Sequence, residues 1–71
     1  DMLDDAVRVV TAIGGVSIPA LQRKLKIDFA RATELVALLE ARGYVSEQGA
    51  GHKRKVLPAA FDRIAALDGL E

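Results

Sequence analysis

Seventy-one residues leave room for one small domain, and a chain this short buries only about 60 % of the surface it exposes when unfolded. It is 51 % apolar but has only three aromatic residues, Phe29, Tyr44 and Phe61, which argues against a ring platform for single-stranded nucleic acid; without cysteine there is neither a disulfide nor a thiolate metal site. Formal net charge is zero, yet Gln22 to Lys55 holds eight basic and four acidic residues against two and six in the flanks, as expected of a domain with one basic surface.

Residues 2–13 are predicted as a first helix, with Leu3, Ala6, Val7, Val10 and Ile13 at helical spacing. Asp4 and Asp5 lie in its first turn, where the helix dipole favours negative charge, and Gly14-Gly15 stops it. Val16, Ser17 and Ile18 read as a short strand, because the residue before a proline is pushed toward extended backbone. Pro19 then opens a short helix over 19–25, with Leu21 and Leu25 inward. Asp28 is an N-cap for the longest helix, 29–42, whose expected inward stripe is Phe29, Ala32, Leu35, Val36 and Leu39; Gly43 ends it.

Residues 44–47 and 53–57 alternate as two strands of a hairpin around the glycine-rich stretch 48–52, and Pro58 closes the second strand. A last helix is predicted over 59–70, with Phe61, Ile64, Ala65 and Leu67 as its apolar positions. The expected fold class is mostly α with a small β-hairpin: a winged helix-turn-helix of three core helices plus wing over residues 1–57. Residues 58–71 form an additional C-terminal helix that packs on this domain or serves as a docking or dimer element.

In such a motif the second helix enters the major groove. With its apolar stripe inward, helix 29–42 turns Ala30, Thr33, Glu34 and Ala37 outward, with Arg31 on the flank. Base readout is expected from Arg31, which can pair with guanine, from Glu34, which can accept from a cytosine amino group, and from Thr33, which can meet a thymine methyl. Phosphate contacts are expected from Arg23, Lys24 and Lys26 before that helix and from Lys53, Arg54 and Lys55 on the wing. Plainer readings stand beside these. Arg31 and Glu34 are three residues apart and can simply pair with each other, and a basic triplet in a hairpin can be ordinary solvated charge. No cofactor or metal is expected: His52 is the only histidine, and Gly49-Ala50-Gly51 lacks the surroundings of a phosphate loop.

No nucleophile–base constellation is present, so the isolated domain is not expected to be an enzyme. The alternative function is a protein-interaction module using Ala30, Thr33, Glu34, Ala37 and the final helix. No apolar run approaches the ~20 residues of a membrane span, so no membrane contact is expected of this domain. The chain starts at Asp1 without an initiator methionine, which reads as a piece of a longer protein. The expected location is cytoplasmic, with a membrane-anchored parent left open.

The stretch Ser17-Ile18-Pro19-Ala20-Leu21-Gln22-Arg23-Lys24-Leu25-Lys26-Ile27 resembles the opening "SIS-x-x-QR-x-x-RI" of the C-terminal gamma domain of FtsK/SpoIIIE-type DNA translocases. The likeness takes in Asp5-Ala6-Val7, Arg31-Ala32, Leu35-Val36, Leu39-Glu40, the run Gly43-Tyr44-Val45-Ser46-Glu47-Gln48, and Lys53-Arg54-Lys55-Val56-Leu57, which is similar to a "REVL" wing strand. It covers roughly residues 3–57. The resemblance implies a bacterial winged-helix domain that reads a short polar DNA sequence and directs an ATP-driven motor in chromosome segregation and cell division. In some members it also implies contact with a site-specific recombinase. The recognition helix departs from the family's G-Y-N-R-A-A-R: Ala30 stands in place of asparagine and Glu34 in place of the second arginine. Ala30 cannot hydrogen-bond a base, and Glu34 reverses a charge beside phosphates. The frame is kept while the reading face is changed.

Overall fold

In the computed structural model of the chain, residues 1–49 and 53–69 are described, and they form four helices: α1 (Met2–Ile13), α2 (Ile18–Leu25), α3 (Phe29–Ala41) and α4 (Pro58–Asp68). Helices α1, α2 and α3 pack on one another in all three pairings, while α4 lies against α1. The fold is mostly α, as the sequence implied. The tip of the expected wing (50–52), His52 and the expected end of the last helix at Leu70 lie outside the described residues.

Local chemistry sets the helix ends. Asp1, Ser17 and Asp28 each accept from the backbone N–H three residues on, Asp28 at 2.8 Å from Arg31, satisfying donors that a helix start leaves free. Helix α3 ends in a Schellman arrangement: Tyr44 N–H donates to Leu39 C=O at 2.9 Å and Gly43 N–H to Glu40 C=O at 3.0 Å, with Gly43 at φ 78°. Lys26 takes the same left-handed role at the end of α2, at φ 56°, where an L side chain is strained. That strained residue turns the chain from α2 into α3 within two positions.

The core is aliphatic. Leu21, Leu35, Leu39, Val7, Val10 and Val45 are its largest fully buried side chains, joined by Ala6, Ala32 and Ala60; among the described residues no polar side chain is buried with them. Val9, which the helical spacing had not marked, is also buried. Three expected inward residues point out instead: Ile13 is 48 % exposed, Phe29 64 % and Phe61 50 %. Ile13 and Phe29 sit at helix ends, beyond the turns that neighbouring helices cover. On α4 the expected Ile64 leans on the core, but its buried neighbour is Ala60, which the pattern had not marked, while Phe61 and Ala65 face solvent.

None of the three expected strands forms among the described residues. Residues 16–18 have no partner strand; Ser17 is extended only because it caps α2, which starts at Ile18 rather than Pro19. Residues 44–47 and 53–57 meet at a single antiparallel bridge, Val45 opposite Val56. Ser46 N–H donates to Lys55 C=O and Leu57 N–H to Tyr44 C=O, both at 2.9 Å. The two reciprocal bonds are diverted. Lys55 N–H goes to the Ser46 hydroxyl at 2.8 Å, and Tyr44 N–H is used in the α3 cap. A short side chain competing for the ladder, at one end, and a helix cap at the other limit the pairing.

Helix α4 begins at Pro58, one residue before the expected start, where a missing N–H costs nothing. Arg63 donates to both carboxylate oxygens of Asp4 at 3.0 and 3.1 Å, and Arg8 to both of Asp68 at 2.8 and 3.3 Å. The guanidinium of Arg63 hydrogen-bonded to Asp4, and that of Arg8 to Asp68, hold both carboxyls below their usual range and raise the two arginines.

Candidate nucleic-acid interface

The basic residues of the middle stretch come to the surface on three elements. Arg23, Lys24 and Lys26 are exposed at the end of α2, immediately before the first turn of α3. Lys53 and Lys55 are exposed on the arm that returns toward α4. Among the described residues, Arg23, Lys24, Lys26 and Lys55 enter no ion pair.

Arg54 is placed differently from its two neighbours. Its Nη1 donates to Glu40 Oε1 at 2.6 Å and to Ser46 C=O at 3.0 Å, and its side chain is only 20 % exposed. It therefore bolts the 44–57 connection to α3. Its charge is partnered by Glu40, and its side chain is more enclosed than those of the exposed Lys53 and Lys55.

On α3 the buried strip is Ala32, Leu35, Val36 and Leu39. At about 100° per residue, Ala30, Glu34, Ala37 and Ala41 fall opposite that strip, with Arg31 and Leu38 to one side and Thr33 and Glu40 to the other. The three expected readout residues thus divide. Arg31 Nη1 donates to Glu34 Oε1 at 2.7 Å, both side chains exposed. Thr33 instead donates its hydroxyl proton to Phe29 C=O at 2.9 Å.

Thr33 and Ala37 face an open groove of about 1300 Å³ between α3, the turn after α1 and the 53–56 arm. Its apolar lining includes Ile13, Val16, Phe29, Val36 and Phe61, and its polar wall is Glu40, Arg54, Lys53 and Lys55. Sequence reasoning missed this groove because it placed Ile13, Phe29 and Phe61 in the core. The signal was present: each lies at a helix end or one position off the buried spacing. Among the described residues no group of histidine, aspartate and glutamate side chains is arranged to hold a metal, and none of the helices is long and apolar enough to cross a membrane.

Residues 1–59 match the family model described as the Ftsk gamma domain. The chain is 42 % identical over 59 residues to a DNA translocase FtsK of Caldanaerobacter subterraneus subsp. tengcongensis, covering 82 % of this chain and 8 % of that protein. It is 37 % identical over 66 residues to the DNA translocase FtsK of Halalkalibacterium halodurans (93 % and 8 %), and 39 % identical over 59 residues to that of Pseudomonas aeruginosa (83 % and 7 %). The chain thus spans less than a tenth of the length of these relatives.

Proposed function

The chain belongs to the FtsK gamma domain family, and from that premise we propose that it is a non-catalytic winged-helix module that binds double-stranded DNA and orients a DNA translocase on it. In this reading α2 and α3 are the helix-turn-helix, α3 enters the major groove, and residues 44–57 are a wing reduced to one bridge. The observation that carries it is the cluster of exposed, unpaired Arg23, Lys24 and Lys26 directly before the exposed first turn of α3. Cations there can neutralise phosphates while that turn approaches base edges. Lys53 and Lys55 supply the second set of phosphate contacts, and Arg54 sets the position of their arm. Arg31, Thr33 and Glu34 are the readout residues. The module works in the cytoplasm, as part of a bacterial protein concerned with chromosome segregation and cell division.

One observation favours a second reading, a protein-interaction module. The groove beside α3 displays Ile13, Phe29 and Phe61, more apolar surface than a phosphate backbone can use. Its occupant would be a protein partner, such as a recombinase or a second copy of the chain docking along α4.

Salt separates the two readings. Fluorescence anisotropy against a labelled duplex pool should show binding at low salt that falls on the order of a hundredfold or more between 50 and 200 mM, because about five phosphates are neutralised. A Lys53→Ala/Lys55→Ala variant should flatten the salt slope by about two. Absence of binding at low salt would rule out the DNA reading and turn attention to the groove.

A further inference from the structure

We propose that Arg31 and Glu34 act as one unit that reads the major-groove edge of a single G·C base pair, an inference that rests on the DNA-binding reading above. The argument begins with what else α3 offers. Ala30 and Ala37 carry no hydrogen-bonding group, and the Thr33 proton is committed to Phe29 C=O. On the exposed first two turns, Arg31 and Glu34 are left to do the polar work.

They are already joined, Nη1 to Oε1 at 2.7 Å. Between groups 47 % and 62 % exposed, such a pair shifts conformer populations only about twofold, too little to withhold Arg31 from a ligand. Its effect is orientation. One of the five guanidinium protons is spent on Glu34, which leaves Arg31 enough donors for a bidentate contact and leaves Glu34 Oε2 as a neighbouring acceptor. The complement of donor, donor, acceptor is acceptor, acceptor, donor. A G·C pair presents that order in the major groove: guanine N7, guanine O6, cytosine N4–H₂. An A·T pair presents acceptor, donor, acceptor, so its adenine amino group would meet a guanidinium donor.

Glu34 has a second consequence. A carboxylate on the face turned to DNA repels phosphates, so it weakens every duplex and is compensated only where a cytosine amino group meets it. It therefore raises the ratio of specific to non-specific binding.

The test uses the whole 71-residue chain. Duplexes are selected from a random pool by the wild type, and each base pair of the best one is then exchanged in turn. At one position, exchange of G·C for A·T should weaken the wild type about tenfold, and 7-deazaguanine there should weaken it too. Glu34→Ala should bind non-selected duplex several-fold more tightly and lose most of that preference. Glu34→Gln, which keeps an acceptor without the charge, should gain the non-specific affinity and keep part of the preference. Thermal melting checks that these exposed substitutions leave the fold intact. An unchanged base profile in Glu34→Ala would overturn the inference while leaving the DNA reading standing. Failure of the wild type to bind any duplex would overturn both.

Discussion

Residues 44–49 with 53–57, and helix α4, both lean on the three-helix body, and arginine–carboxylate pairs tie both to it, yet the balance of forces differs. Helix α4 carries two bidentate pairs on its rim, Arg63–Asp4 and Arg8–Asp68, around a fully buried Ala60. Among the described residues, the 44–57 connection carries the pair Arg54–Glu40, better shielded than Arg8–Asp68 and about as shielded as Arg63–Asp4, beside the buried Val45. On α4 the pairs decorate an interface that apolar packing already makes. On the connection, where regular pairing stops after one bridge, the arginine replaces the missing ladder. The same chemistry is incidental in one region and structural in the other.

Breaking the apolar half of this comparison should have the largest effect. Ala60→Asp would press an unpaired carboxylate against α1, a cost on the order of 3 kcal/mol unless α4 lifts away. Hydrogen exchange should show α4 amides losing protection while α2 and α3 keep theirs, together with a lower melting temperature. An unchanged melt would mean that α4 contributes nothing to the body.

Breaking the polar half comes next. Arg54→Ala strands Glu40 and frees Ser46 C=O, which should cost about 1 kcal/mol given the partial exposure of the pair. Exchange at Ser46 N–H, bonded to Lys55, should quicken. Glu40→Ala should do the same, and the double variant should be little worse than either, since both remove one bolt. In DNA titrations Arg54→Ala should lower affinity and leave the salt slope unchanged, whereas a phosphate contact would lower the slope by about one. A lower slope would return Arg54 to the phosphate contacts.

The same contrast explains what could be read from the sequence. The helices were legible because their signals are local: Asp28 capping α3, Gly43 ending it, Leu35 and Leu39 at helical spacing. The hairpin was overread because alternation in 44–47 and 53–57 cannot reveal that the Ser46 hydroxyl captures Lys55 N–H. Phe29 was misplaced because spacing gives a face but not where a neighbouring helix stops covering it. In the candidate site, exposure of the lysines followed from composition. The enclosure of Arg54 between its exposed neighbours did not, because it depends on Glu40, fourteen residues away in sequence.

The smallest effect, and the sharpest on the difference between the regions, is the response of α4 to acid. Asp4 and Asp68 are held below the ordinary aspartate value of about 3.9 by Arg63 and Arg8. For a carboxyl whose folded pKa is depressed, the unfolded chain binds its proton first as pH falls. The stabilisation is therefore fully present above about pH 4 and is lost as pH drops through the lower folded values. Of the two, Asp4 should matter more, since its side chain is 18 % exposed against 57 % for Asp68, and water and salt screen the latter. Melting curves between pH 5 and 2 should thus show a shallow loss of stability that Asp4→Asn largely abolishes and Asp68→Asn reduces less. Because Ala60 and Ile64 stay packed, α4 should remain helical and docked through this range, its amide protection falling only slightly. Detachment of α4 on protonation alone would show that the pairs, not the apolar contact, hold it, and the contrast with the 44–57 connection would collapse.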